Sequence, residues 1–150
     1  MDIKGSYTFD ATPQAVWDVL IDIDAVAACL PGCESMDPIG EHTYRAVLTM
    51  GIAAITGRYE GTVEMRDLEP PSSYRLVVEG RGTPGFVTGG GAISLKETDG
   101  GTRVTVDGTV QVGGTIARVG QRLIGSVAKM MMDRFFACLQ KRLAHGEDTQ

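Results

Sequence analysis

The sequence predicts an α+β fold in which a curled antiparallel β-sheet wraps around one long C-terminal α-helix. Six segments with alternating apolar and polar residues follow one another between residues 34 and 112, and a period of two is typical of half-buried strands. A further strand and two short helical patterns precede these segments, and one long helical pattern closes the chain. Helices separated from an antiparallel sheet in this way define the α+β class.

The first thirty residues predict a strand followed by two short helices. Odd-numbered residues from Ile3 to Phe9 form the inward side of the strand. Thr12 is a favourable N-cap residue, and Pro13 suits the first helical position after it. A second helix is expected around residues 24–30, where a Pro-Gly pair ends it.

The six later strands are expected near residues 34–38, 43–50, 55–67, 73–81, 90–97 and 102–112. In an antiparallel meander, successive turns lie at opposite ends of the sheet. The turns at 39–42, 69–73 and 98–101 are polar, whereas the segments 51–55 and 82–89 are apolar and rich in glycine. We call the end with the second group the apolar loop end, and residues 31–33 and 113–114 are expected there too. Apolar loops gathered at one end indicate contact with another molecule.

Phe86 lies in the loop predicted for residues 82–89, where the neighbouring glycines cannot cover its ring. One interpretation is an anchor that inserts into a membrane or a partner protein, since burial of an aromatic side chain gains about 1.5–3 kcal/mol. The other interpretation is a lid that folds back over a cavity and opens when a ligand enters. The sequence leaves both interpretations open.

The last helix is predicted from about Thr115 to about Ala144, a length of about 45 Å at 1.5 Å per residue. Its apolar residues change sides halfway along, so its two halves are expected to contact different neighbours. Arg118, Arg122 and Lys129 fall opposite the apolar face of the first half and form a basic stripe. This stripe is either a solvated surface or a docking site for an acidic partner or anionic lipid headgroups.

Several inward positions of the predicted strands hold glycine, namely Gly57, Gly61, Gly80, Gly91 and Gly108. The missing side chains would leave room beneath the last helix, or they would let the sheet curl sharply around it. The two interpretations are compatible, because a curled sheet that grips a long helix can enclose an elongated apolar cavity.

We therefore expect an apolar small molecule to bind between the sheet and the last helix. The candidate ligand-binding residues are Tyr44, Met50, Tyr59, Gly61, Val78, Phe86, Val119, Leu123, Val127 and Met131. Among them, the hydroxyl groups of Tyr44 and Tyr59 are expected to orient the polar end of a ligand. The candidate residues for docking to a membrane or a partner are Ile52, Ile55, Phe86, Arg118, Arg122 and Lys129.

Composition limits the classes of function. The 150 residues, with 43% hydrophobic content, suit one packed domain, which we predict to span residues 1–146 with a disordered tail at 147–150. The net charge of −5 argues against a nucleic-acid partner.

No stretch approaches the roughly 20 apolar residues of a membrane span, and the N-terminus alternates like a strand instead of resembling a signal peptide. We expect a cytoplasmic protein, with peripheral contact at the inner face of the cytoplasmic membrane as a further expectation.

The three cysteines, Cys29, Cys33 and Cys138, are expected to be buried thiols in a reducing compartment. The spacing between Cys29 and Cys33 lacks the pairing usual in zinc sites. No metal site is predicted.

Motifs for catalysis or nucleotide binding are weak. Residues 80–85 match the glycine pattern of a dinucleotide-binding loop, but Pro84 and the next strand follow where that chemistry needs the N-terminus of a helix. The two histidines lie in a polar turn and in the C-terminal tail, far from the apolar loop end. We predict no catalytic residue.

Six short motifs stand out along the chain, namely Leu30-Pro31-Gly32-Cys33, Gly57-Arg58-Tyr59-Glu60-Gly61, Leu68-Glu69-Pro70-Pro71, Gly113-Gly114, Gly120-Gln121-Arg122-Leu123-Ile124 and Phe135-Phe136. With these motifs and the predicted elements, the chain resembles the carbon monoxide dehydrogenase G-subunit family of the START-like (SRPBCC) superfamily, whose fold is called a helix-grip. The resemblance covers nearly the whole chain.

The resemblance implies a non-catalytic accessory protein with an apolar cavity suited to a quinone or a lipid. Its expected partner is a molybdenum-containing carbon monoxide dehydrogenase or a related molybdenum hydroxylase, which it would help to recruit to the membrane. Two alternatives stay open, because fold alone does not decide function. One is a small cyclase-like or hydrolase-like enzyme of the same fold that acts on an apolar substrate, and the other is an assembly factor without a ligand.

Overall fold

A computed structural model of the chain describes residues 1–52 and 55–148. The N-terminal elements are β1 (Asp2–Phe9), α1 (Pro13–Leu20) and α2 (Ile23–Cys29). The meander consists of β2 (Cys33–Gly40), β3 (Thr43–Met50), β4 (Gly57–Glu69), β5 (Ser73–Gly82), β6 (Gly85–Thr98) and β7 (Gly101–Gly113). A 3₁₀ helix (Thr115–Val119) and α3 (Gln121–Asp148) follow.

The described strands form one seven-stranded sheet in the order β1-β7-β6-β5-β4-β3-β2. Every neighbouring pair is antiparallel. The N-terminal strand β1 forms the edge of the sheet beside β7. The helix α3 packs against α1, α2 and β1. The predicted α+β helix-grip architecture is confirmed.

The predicted start of α1 is also confirmed. The Thr12 hydroxyl accepts a hydrogen bond of 3.2 Å from the backbone N–H of Ala15, and Pro13 occupies the first helical position. The helix buries Val16, Trp17 and Leu20 against the sheet.

The prediction of a loop over residues 82–89 is wrong, because only Thr83 and Pro84 separate β5 from β6. Residues 85–89 belong to β6, where Val87 pairs with Val112 and Gly89 pairs with Val78 and Val110. Ladder hydrogen bonds on both sides hold these residues in a strand, although glycine normally weakens strand interiors.

The predicted single helix from Thr115 to Ala144 is interrupted. Gly120 adopts a φ of 92°, a left-handed conformation that side chains disfavour, and it separates the 3₁₀ helix from α3. The chain can therefore change direction between Ile116 and Leu123. At the other end, α3 reaches Asp148, two residues past the predicted domain end, and the rest of the predicted tail lies outside the described residues.

Two hydrophobic clusters divide the interior. The main core joins α1, α2 and the C-terminal half of α3 to the sheet, and its buried members include Phe9, Trp17, Tyr74, Phe136 and Leu139. The second cluster, which we call the loop-end cluster, is built on Ile55, Ile116 and Val127. The two halves of the last helical region thus contact different neighbours, as predicted.

The inward glycines permit close contact between strands. Gly61 pairs with Gly80, and a Cβ built on Gly61 would collide with the backbone carbonyl of Glu79. Gly91 pairs with Gly108, and a Cβ on Gly91 would lie 2.7 Å from the Gly108 Cα. These positions support the curling interpretation, because backbone atoms of the next strand occupy the space of the missing side chain.

The cysteine prediction is wrong for two of the three residues. Cys29 at the end of α2 and Cys138 in α3 form a disulfide, with their Cα atoms 5.4 Å apart. The packing of α2 on α3 in the main core brings together two cysteines that are 109 residues apart in sequence. Cys33 is a free thiol, and burial raises its pKa.

Candidate functional site

An apolar cavity of about 330 Å³ lies between the concave side of the sheet and the first half of α3. Its wall is almost entirely apolar. The residues that line it are Leu30, Ala46, Leu48, Met50, Ile55, Tyr59, Glu60, Gly61, Thr62, Val78, Glu79, Gly80, Val87, Val110, Val112, Ile116, Ile124, Val127, Ala128 and Met131.

Strand and helix periodicity place these side chains on the wall. Ala46, Leu48 and Met50 alternate along β3 and point to one side of the sheet. On α3, Ile124, Val127, Ala128 and Met131 repeat at helical spacing and face the strands. The cavity therefore lies where the sheet and the helix face each other.

Six of the ten sequence-predicted ligand-binding residues lie on the cavity wall, namely Met50, Tyr59, Gly61, Val78, Val127 and Met131. Their role in binding remains a prediction. Val119 and Leu123 do not lie on the wall and pack against the loop-end cluster. The break at Gly120 moves Val119 off the projection of one continuous helix, whereas Leu123 belongs to α3 itself. Tyr44 lies outside the wall, towards the polar-turn end of β3.

Phe86 does not line the cavity and cannot act as its lid in this conformation. Its neighbour Val87 faces the cavity, so strand alternation directs Phe86 to the outer, convex side of the sheet. There its ring covers the Cα of Gly113, its partner in β7, and 44% of the residue is exposed. The exposure leaves the anchor interpretation open.

The predicted docking residues differ in accessibility. Ile55 is only 8% exposed, so it is a core residue and cannot present its side chain to a membrane in this conformation. Ile52 is partly buried against the same loop-end cluster. These side chains pack in one cluster with Ile116 and Val127, so their apolar surface is removed from water within the domain.

The three residues of the basic stripe are all exposed, but they do not share one helix, since Arg118 lies before the break at Gly120. Arg122 and Lys129 border a shallow cleft beside β1, together with Lys4. Lys129 also forms an ion pair of 3.2 Å with Asp133.

Sequence reasoning missed several wall residues. Leu30 follows α2, Val110 and Val112 lie on β7, and Ile116 lies on the 3₁₀ helix. The alternation along β3 and β7 already identifies the inward positions, so this signal was available. The position of Leu30 on the wall depends on how α2 packs against α3. No pattern in the residues around Leu30 reveals that packing.

Tyr59 lines the cavity from an inward position of β4 and carries a polar group, its hydroxyl. Its hydroxyl donates a hydrogen bond of 2.8 Å to the backbone carbonyl of Ile55. Burial raises its pKa, so the hydroxyl stays neutral. Glu60, Thr62 and Glu79 alternate with inward residues of β4 and β5, so their side chains point to the outer side of the sheet.

Neither a metal centre nor a membrane span is evident in the part of the chain that the structure describes. In residues 1–52 and 55–148, no group of three or more histidine, cysteine or carboxylate side chains could hold a metal ion. No helix within these ranges is long and apolar enough to cross a membrane.

The fold and the cavity define a helix-grip protein with an apolar cavity between its sheet and its terminal helix. Residues 5–144 match the family model of CoxG, the G subunit of carbon monoxide dehydrogenase. The chain therefore belongs to the CoxG family. Members of this family are accessory components in the context of carbon monoxide dehydrogenase, as distinct from its catalytic chains.

Solved structures agree with this assignment. A conserved protein from Geobacillus kaustophilus is 40% identical to the chain, with a TM-score of 0.93 over 97% of this chain and 96% of that one. The protein TTHA0849 from Thermus thermophilus is 17% identical, with a TM-score of 0.74 over 97% and 99% of the two chains. The protein Ms6760 from Mycobacterium smegmatis is 16% identical, with a TM-score of 0.70 over 97% and 92%. The last two similarities establish the fold alone. None of the curated proteins compared with the chain matches it.

Proposed function

We propose that this protein holds a quinone or a lipid in the cavity between sheet and helix, and couples a molybdenum-containing carbon monoxide dehydrogenase to the cytoplasmic membrane. The observation that carries the proposal is the cavity itself. Its volume of about 330 Å³ lies at the lower end of the range of small-molecule sites, roughly 300–1,000 Å³. Membership in the CoxG family supports the choice of partner enzyme.

The position of the cavity also supports a binding role. The main core packs without it, since Phe9, Trp17 and Leu139 are almost fully buried at the other end of the domain. An apolar cavity of this size costs stability when it is empty, because its lining loses contacts. A bound apolar molecule would restore those contacts.

Docking would use the outer surface. Phe86 offers an exposed aromatic ring on the convex side of the sheet, and Arg118, Arg122 and Lys129 offer exposed positive charge on a chain with a net charge of −5. A basic surface on an otherwise acidic protein favours an acidic partner or anionic lipid headgroups.

The ligand part of the proposal is tested by native mass spectrometry of the purified protein, followed by extraction into organic solvent. A quinone or lipid that copurifies in a stoichiometric amount supports the proposal. A protein that is empty, and that also fails to bind added short-chain quinone or lipid, would favour the assembly-factor alternative.

A pair of variants locates the bound molecule. Val127→Trp adds volume inside the cavity, so it should abolish copurification at a cost below the roughly 1–3 kcal/mol typical of overpacking a filled core. Ala137→Trp places the same side chain at an exposed position of α3 and should leave binding intact. Equal binding by the two variants would place the ligand elsewhere.

A further inference from the structure

The contacts of Tyr59 define which ligands the cavity accepts, an inference that rests on the proposed binding function. The hydroxyl of Tyr59 is 2.8 Å from the backbone carbonyl oxygen of Ile55. Since a carbonyl oxygen can only accept, Tyr59 uses its single proton in this bond. Among residues 1–52 and 55–148, no group donates a hydrogen bond to the Tyr59 oxygen, whose lone pairs can accept one.

We infer that the cavity selects uncharged apolar molecules whose polar end donates a hydrogen bond, such as a phenol, a quinol or a fatty alcohol, with the Tyr59 oxygen as acceptor. A ligand hydroxyl adds one hydrogen bond to the site and disturbs none. A ligand that can only accept, such as a ketone or a quinone, must compete with Ile55 for the Tyr59 proton, so among the proposed ligands a quinol or an alcohol should bind more tightly than a quinone. It gains one bond and leaves the Ile55 carbonyl without its partner, and an unsatisfied buried acceptor is costly.

The other wall residues exclude charged ligands. None of the described residues that line the cavity is a lysine, arginine or histidine. A carboxylate or phosphate would enter without a partner, and burial of an unpaired charge is strongly unfavourable. The acidic headgroup of a fatty acid would therefore have to stay outside.

Two small aromatic probes test whether a ligand that donates a hydrogen bond binds more tightly than one that cannot. 2-Naphthol and 2-methoxynaphthalene share one ring system, are both neutral at pH 7, and differ in the hydroxyl proton. Their dissociation constants are measured by fluorescence titration for the wild type, for Tyr59→Phe and for Tyr44→Phe. The control removes the same hydroxyl from a tyrosine outside the cavity wall.

The affinity of 2-naphthol relative to 2-methoxynaphthalene should fall roughly three- to tenfold in Tyr59→Phe, the range of one net hydrogen bond. The ratio should be unchanged in Tyr44→Phe. A ratio that is the same in the wild type and in Tyr59→Phe overturns the donor preference while leaving the cavity as a binding site. If neither probe binds the wild type, the proposed ligand binding fails and the inference fails with it.

A second measurement needs no variant, in case Tyr59→Phe does not fold. In a crystal structure of the wild type with 2-naphthol, the ligand oxygen should lie about 2.8 Å from the Tyr59 oxygen. A naphthol bound in the cavity with its hydroxyl elsewhere would overturn the inference.

Discussion

The hydroxyl of Tyr7 donates a hydrogen bond of 2.8 Å to the carboxylate of Asp133, a residue 126 positions further along the chain. This contact ties the edge strand β1 to the middle of α3. The ring of Tyr7 also stacks on Phe136, with the ring centroids 4.2 Å apart. Because Tyr7, and to a lesser extent Lys129, stabilise the charged form, the pKa of Asp133 is lowered.

Tyr7→Phe should keep the stacking and remove the hydrogen bond. A lowered carboxyl pKa contributes stability that is present above the unfolded value of about 3.9 and is lost as pH falls through the folded value. The variant should therefore have a lower urea midpoint than the wild type at pH 7, and the gap should narrow at pH 2. Urea unfolding of both proteins at pH 7 and pH 2 measures the difference between their midpoints. A difference that is the same at the two pH values would assign the effect to packing alone.

Gly61→Ala and Gly80→Ala form a matched pair, since the two glycines lie opposite each other in β4 and β5. A Cβ on Gly61 would collide with the Glu79 carbonyl, whereas a Cβ on Gly80 has its nearest neighbour, the Glu60 carbonyl, 3.9 Å away. Gly61→Ala should lower the free energy of unfolding by about 1–3 kcal/mol, and Gly80→Ala should have a much smaller effect. Equal losses in thermal or urea unfolding would argue against strand contact as the reason for Gly61.

Cys138→Ser should remove the link between α2 and α3. Loss of a native disulfide typically costs about 2–5 kcal/mol, and the sequence separation of 109 residues favours the upper part of this range. Cys33→Ser is the control, because Cys33 is free. Alkylation of the unfolded wild type without a reductant should modify one thiol, and modification of three would contradict the disulfide.

Phe86→Ser should weaken association with anionic vesicles or with the dehydrogenase if Phe86 is the anchor. Ile39→Ser is the matched control. Among the residues that the structure describes, Ile39 is the other exposed large hydrophobic residue, at 52% against 44% for Phe86, and it lies near the polar turns. Vesicle cosedimentation measures the difference. The dissociation rate of a cavity ligand should not change, because Phe86 lies on the opposite side of the sheet from the wall.

Reversal of Arg118, Arg122 and Lys129 to glutamate should weaken association and reduce its dependence on salt, because exposed charges act over a Debye length of about 8 Å at physiological ionic strength. Reversal of Arg134, Lys141 and Arg142, which are also exposed, changes the net charge by the same amount and serves as control. Equal effects of the two triple variants would indicate net charge instead of a specific stripe.

The sequence predicted element order well because each strand and helix carries its own period. Ile3 to Phe9 alternate in burial, and Thr12 caps α1 through local chemistry that needs no tertiary contact. The errors arose where tertiary contacts decide. Residues 85–89 are rich in glycine, so they suggested a loop, and only the pairing with β5 and β7 on either side keeps them in a strand.

The candidate site was predicted in part for the same reason. Met50, Val78 and Val127 follow from the inward faces of their own elements. Leu30 and the Cys29–Cys138 disulfide depend on the packing of α2 against α3, a contact between distant segments that spacing along the chain does not reveal. The misplacement of Val119 traces to Gly120, because the break there changes the phase between the residues before it and those of α3.

If the cavity binds a ligand as proposed, the separation of the interior into two clusters would let stability and ligand choice evolve independently. The main core around Trp17 and Leu139 holds the helices to the sheet, while Ile116 and Val127 shape the cavity near the other end. Effects of substitutions at sites that share no contacts are close to additive. A lineage could therefore replace the cavity residues to accommodate a new molecule while the part of the domain that makes it fold stays the same.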